Sequence, residues 1–282
     1  MFYLLGSVIL FSINNLLWAH FAPQQNIYSI IKKRAGFTSL FLGLLLLGFL
    51  FYSQQEFPTQ HIIELLIISC IGFAGLSCLV LGFKQGSFLQ YAIYSLLFTY
   101  IIGFILQEQL FQNWMWNSIS LAFVSLGYLY FIVKQFKETK TQKRSKLAHL
   151  YFFLAHLCFA TLLFLQWKFL ENSSQLAIAF TQEFSVFILA GLILWLKPDK
   201  IKVKQIPLWK FSLFALPITL AVLLGLEGLK STNPFHSALI GLLVPIITLL
   251  LGVLLKKEKL NLKSLPGLII MLVGMVSFYM YS

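Results

Sequence analysis

Apolar runs of about 20 residues recur along the whole chain, and the charged residues are gathered in the short polar segments between them. A helix rises about 1.5 Å per residue, so about 20 apolar residues cross the hydrocarbon of a bilayer. Of the 282 residues, 59% are hydrophobic and only 11% charged. That is too little charge to cover a globular surface, since a soluble domain carries about a quarter. The chain is therefore expected to be an all-α integral membrane protein. Candidate spans are 2–20, 35–52, 62–83, 88–106, 114–133, 148–167, 175–196, 208–229, 235–255 and 264–281. Ala19-His20-Phe21-Ala22 loosely mimics a signal cleavage site, but no Lys or Arg precedes the first run and the run is long for a signal. The first helix is expected to be retained.

The basic residues alternate from loop to loop. Lys32, Lys33 and Arg34 precede the second run, Lys84 follows the third, and Lys134 to Lys146 follow the fifth. Further clusters run from Lys197 to Lys210 and from Lys256 to Lys263. Glu56, Glu108 and Glu171 fall on the opposite side with Lys168 and Lys230. Basic loops stay in the cytoplasm, so both chain ends are expected outside. The same pattern accounts for the net charge of +12, which gives no reason to expect nucleic acid as a partner. Cys70, Cys78 and Cys158 lie within apolar runs and lack metal-ligand spacing.

The basic stretch 134–147 divides the chain into two halves, 1–133 and 148–282, of five spans each. The halves repeat weakly at an offset of about 150 residues: the run beginning at Tyr91 parallels the run beginning at Gly241, and Glu108 parallels Glu258. An odd number of spans makes the second half run oppositely through the bilayer. That is an inverted repeat, the arrangement of many secondary transporters, with the solute held near mid-membrane between the halves.

With Pro245 inside the ninth span, Glu258 after it, and Gly267 and Gly274 in the last span, this chain resembles the EamA-like members of the drug/metabolite transporter superfamily. The first half matches more loosely, through Pro23, Arg34 opening its second helix, and Glu108; Ser95 stands for the proline and Asn117 for a glycine. The resemblance implies a ten-helix carrier that moves small metabolites by alternating access, with both termini in the cytoplasm. The charge bias implies the reverse orientation.

Polar residues inside the runs are the site candidates. Glu183 stands near the middle of the seventh span, where a carboxylate facing lipid is costly; it must face the interior, be paired, or hold a proton. Gln182 is its neighbour. His156 in the sixth span titrates in a useful range and would make a proton relay with Glu183 if the two met. Asn14 and Asn15 point about 100° apart on the first helix, so one is expected to contact solute and the other a neighbouring helix. Trp18 shares the face of Asn14, and Tyr91, Ser95 and Phe98 form a stripe on the fourth helix with Tyr94 beside it. For each of these the competing expectation is structural: an interhelical hydrogen bond or ordinary aromatic packing.

Trp114 and Trp116 mark a membrane interface rather than a pocket. Gln166 is expected to be interfacial, Glu227 to pair with Lys230 three residues on, and Arg34 to anchor the second helix at the cytoplasmic surface unless its family match carries function. Pro217 and Pro245 each remove a backbone hydrogen bond; Pro245 is the expected hinge, while Gly225, Gly241 and Ser237 are read as packing residues.

No metal-binding, phosphate-loop or nucleophile motif is present, so no cofactor is expected and the chain is not expected to be an enzyme. The leading expectation is a secondary transporter, exporter or exchanger, for a small organic solute, with protons as a candidate coupling ion and membrane lipid around it. The alternatives are a membrane scaffold or sensor and a lipid-modifying membrane enzyme. Two inverted halves in one chain make a complete carrier without a partner, and a homodimer is compatible with that.

Overall fold

The computed structural model describes residues 1–22, 26–53, 57, 59–86, 88–105, 114–136, 145–197, 206–256 and 261–281. Among them lie α1 (Phe2–Phe21), α2 (Ile27–Ser53), α3 (Ile62–Gln85), α4 (Phe88–Ile105), α5 (Trp114–Phe136) and α6 (Lys146–Phe169). The chain continues through α7 (Gln175–Leu196), α8 (Leu208–Lys230), α9 (Pro234–Gly241), α10 (Leu243–Lys256) and α11 (Leu265–Tyr281). Collinear in sequence, α9 and α10 make one span, so the protein is an all-α membrane protein of ten spans. Glu56, Glu108, Glu258, Pro23 and most of the central basic linker fall outside the described residues.

Helices are forced on these segments because hydrocarbon offers no partner for a free backbone group. The starts of α6, α7 and α9 are set by polar side chains. Ser145 caps α6 by accepting from Leu147 N at 3.2 Å, Ser174 caps α7 by accepting from Ala177 N at 3.2 Å, and Asn233 caps α9 by accepting from His236 N at 2.9 Å. The burial pattern is that of a protein in lipid. Leu47, Phe51, Leu126, Trp195 and Val276 are exposed, while Arg34, Glu183, Asn14, Asn15 and His156 are buried.

Two boundaries differ from those expected. Helix α2 begins at Ile27, not 35, so Arg34 does not open it but lies two turns inside. The basic triplet had marked an apparent edge. In the helix, Lys32 and Lys33 place their ammonium groups over the rings of Phe187 and Phe211, with Nζ 5.8 and 5.3 Å from the ring centres, while Arg34 turns inward. The ninth span is interrupted at Leu242. Pro245 lacks an N–H and its ring crowds the carbonyl one turn earlier, at Gly241. Pro217 leaves α8 continuous from Leu208 to Lys230.

The halves interlock rather than sit side by side. Helix α1 packs on α8, α2 on α7, α3 on α6, and α5 on α11. Exchanging each span with its counterpart five spans away returns the same set of pairs, as two inverted five-helix repeats require. Two crossings mark the axis of that exchange. The Arg34–Glu183 contact joins residues 149 apart, close to the repeat offset. A Cβ placed on Gly274 would lie 2.7 Å from the backbone nitrogen of Val124, about 150 residues away. At the second crossing α5 and α11 touch backbone to backbone, where Gly127 and Gly267 also meet and Ser120 and Ser277 share a 2.9 Å hydrogen bond.

Candidate functional site

A cavity of about 380 Å³ lies between the halves. Spans one to four of the first half and six to nine of the second line it, while α5 and α11 stay outside. Most lining helices give one stripe of residues, while α2 gives Arg34 alone. From α1 the stripe residues are Leu4, Ser7, Val8, Phe11, Asn14, Asn15 and Trp18, the repeat of a helix face. Much of the wall is leucine and phenylalanine, and the polar groups are few and placed singly.

The strongest polar feature joins α2 to α7. Arg34 Nη1 donates to Glu183 Oε2 at 2.6 Å, with the guanidinium 5.7 Å from the ring of Trp18. Arg34 is 1% exposed, and its Nε has no hydrogen-bond partner. Beside the pair, Gln166 Nε2 donates to Gln182 Oε1 at 2.9 Å, tying α6 to α7. Gln182 Nε2 and Asn14 Oδ1 are likewise buried without partners, and both residues line the cavity. These cavity-lining residues thus carry two buried donors and one buried acceptor without partners, which is unusual for buried polar atoms.

His156 does not meet Glu183. Its Nδ1 donates to the Phe152 carbonyl at 2.8 Å, which fixes the tautomer, so the neutral ring accepts from Ser95 Oγ through Nε2 at 2.9 Å. Tyr91 and Phe98 pack on the ring at 5.0 and 6.0 Å. Asn15 Nδ2 donates to Tyr91 Oη at 3.4 Å. The stripe on α4 is therefore a histidine holder that also lines the cavity. Tyr94 lies outside the wall and shares a 3.2 Å hydrogen bond with His149.

The remaining candidates distribute as follows. Glu183, His156, Asn14, Trp18, Tyr91, Ser95 and Gln182 all line the cavity. Asn14 and Asn15 both lie on the wall, because the cavity wraps far enough around α1 to take in both directions, and of the two Asn15 bonds a neighbouring helix through Tyr91. Arg34 and Gln166 are wall residues rather than interfacial ones. Their only sequence signals were a polar residue in or beside an apolar run and, for Arg34, the family match. Pro245 is off the wall, but its break leaves Gly241 and Val244 on it, and Ser12 of α1 donates to the Val244 carbonyl at 3.1 Å. Gly225, Gly241 and Ser237, expected to serve packing, line the cavity too. Glu227 accepts from Gln175 Nε2 at 2.6 Å, and no ion pair to Lys230 forms among the described residues.

The two ends of the cavity differ. Toward the basic loops, rings form its floor: Trp18 on Phe214 at 4.8 Å, Phe21 on Phe214 at 5.6 Å, and Phe83 on both Tyr91 and Phe152 at 5.3 and 5.4 Å. Toward the other end the wall includes Gly225, Ser237 and Gly241, and a Cβ on Gly241 would meet nothing within 4 Å. At the repeat offset Gly241 is the counterpart of Tyr91, so the two halves present side chains of very different size at matching places on the wall.

No group of three or more metal-ligating side chains assembles among the described residues. Among curated proteins none matches the chain. A solved structure, described only as a crystal structure of a protein, superposes with a TM-score of 0.66 over 98% of this chain and 96% of its own, at 14% identity, a likeness of fold alone. The model of the EamA-like transporter family matches residues 146–280. The second five-helix half of this chain thus carries the EamA-like transporter fold.

Proposed function

We propose that the protein is a secondary transporter that moves a small organic solute by alternating access between its two halves. The observation that carries this is the cavity itself. It lies where the inverted repeats meet, eight of the ten spans contribute to it, and its buried polar groups are partly unsatisfied. A scaffold needs polar groups that satisfy one another; it has no use for a cavity with donors and an acceptor left over. The match of residues 146–280 to a transporter family supports the same reading.

The aromatic floor beneath Trp18 and Tyr91 and the glycine-lined wall near Gly241 correspond to a conformer closed toward the basic loops. If those loops are cytoplasmic, the cavity faces the outside and both chain ends lie outside with it. Alternate exposure then requires the rings at one end to part while α9 closes over the other, bending at the Leu242 break. Among the described residues Glu183 is the acidic side chain on the wall, and we place proton coupling at its carboxyl group.

Counterflow in liposomes tests the proposal. Purified protein, loaded with labelled amino acids, organic acids, amines, sugars and nucleobases in turn, is assayed at pH 6 and pH 8. Saturable exchange of one class is the expected outcome. Correctly inserted, folded protein that exchanges none of them refutes the carrier. Accessibility of cysteines placed in the basic loops, probed from each side, checks the orientation.

A further inference from the structure

The wall of the cavity carries one permanent positive charge and one negative charge that a proton can remove. An arginine keeps its charge under all physiological conditions, whereas a carboxylate can be neutralised. The ionisable side chains on the wall are Arg34 from α2, Tyr91 from α4, His156 from α6 and Glu183 from α7. Helices α1, α3, α8 and α9 contribute none. On α2 itself, Lys32 and Lys33 engage the rings of Phe187 and Phe211 away from the wall. The ion pair is therefore the only balanced charge in the site among the described residues, and a buried site tolerates net charge poorly.

We infer that this cavity takes a monoanionic organic acid with an apolar body together with one proton, because the carboxylate of the solute and that of Glu183 compete for the single guanidinium of Arg34. This rests on the transporter reading and names its substrate class. Charge balance dictates the asymmetry. With Glu183 ionised the pair is neutral, and an added anion would leave the site at −1. With a proton on Glu183, the anion and Arg34 are neutral together. A cation would leave the site at +1 with no proton that Arg34 could release. Geometry supplies the contact: Arg34 Nε is buried, has no hydrogen-bond partner and belongs to a cavity-lining residue, and neutralising Glu183 turns the charge-assisted Nη1 bond into a weaker one that a solute carboxylate can displace. Gln182 Nε2 offers a further donor on the same wall, and Phe11, Phe98, Phe159 and Leu163 receive the apolar body. Each turnover then carries no net charge: the proton enters and leaves on the Glu183 carboxyl, and the anion on Arg34.

Four probes with one phenyl body separate the possibilities: phenylacetate, phenylacetamide, phenylalanine and phenethylamine. Binding to the purified full chain is followed by tryptophan fluorescence, since Trp18 lies at the pair, and proton uptake by a pH indicator in weak buffer. Phenylacetate is expected to bind with uptake of one proton. Its Kd should rise about tenfold per pH unit once Glu183 is ionised. Glu183→Gln should bind phenylacetate with the same affinity at pH 6 and pH 8 and take up no proton. Phenethylamine should not bind. Phenylacetate binding without proton uptake by the wild-type chain, no phenylacetate binding by folded protein, or pH-independent preference for phenylalanine or phenethylamine would each overturn the inference. The wild-type measurement decides even if the variant does not fold. In liposomes, proton-linked binding of phenylacetate without its movement would keep the site and refute the carrier. Counterflow of phenylacetamide alone, insensitive to pH, would keep the carrier and refute the site.

Discussion

Replacing Gly127 by alanine adds one methyl group at the crossing of α5 and α11. A Cβ there would run into Met271 N and lie 2.5 Å from the Gly267 carbonyl oxygen and 2.9 Å from Met271 Cα. Ordinary contacts lie at 3.4–4 Å, so the helices must part by about an ångström or more, and the obstacle is backbone that no rotamer change can move. Parting loosens the surrounding core of Val124, Tyr128, Phe131, Met271, Met275 and Phe278. A gap of about 0.5–1 Å forfeits a quarter to a half of each dispersion contact, and overpacking generally costs about 1–3 kcal/mol. Gly127→Ala should therefore lose about 2–3 kcal/mol, set against a gain of up to about 1 kcal/mol in helix propensity. Gly48→Ala on α2 is the matched control, since its Cβ would meet nothing within 4 Å. It retains only the propensity gain. Thermal unfolding in detergent, followed by near-ultraviolet circular dichroism, should give Tm shifts of opposite sign for the two variants. Equal shifts, or a Gly127→Ala protein as stable as wild type, would refute the close backbone crossing.

The other expectations concern the cavity. Glu183→Ala leaves the Arg34 guanidinium buried without its partner and should destabilise by about 3 kcal/mol or more, while adding Arg34→Leu should recover part of the loss; equilibrium unfolding of the single and double variants measures the coupling. Pro245→Ala restores the missing donor and should make the ninth span continuous, with helix stability gained. Solute binding should persist while counterflow slows, and unchanged turnover would remove Pro245 from the cycle. Gly241→Leu puts a side chain into open space beside the break, so it should leave the unfolding free energy within about 0.5 kcal/mol of wild type yet abolish saturable exchange.

The spans were legible in the sequence because a bilayer makes each helix satisfy its own backbone, so apolar length alone reveals it. The odd number of spans per half, read from the same pattern, dictated inversion, and the interlocked helix pairs follow it. Glu183, His156 and Asn14 stood out because a polar group inside an apolar run must find a use or a partner.

What they meet belonged to the tertiary structure. Glu183 pairs not with His156 from the adjacent helix but with Arg34, 149 residues away. In sequence Arg34 was one of three basic residues at the edge of a run. Successive residues turn about 100° around a helix, so the packing of α2 on α7 decided which of the three would point inward. The same rotation placed Tyr94 beside His149 while its neighbours lined the cavity. Gln166 became a wall residue through the packing of α6 beside the cavity, and Asn14 and Asn15 could both line it because of its breadth. Local composition determines what can lie in a membrane; which side chains share its interior is set by helix rotation and crossing, and those are decided only when the two halves meet.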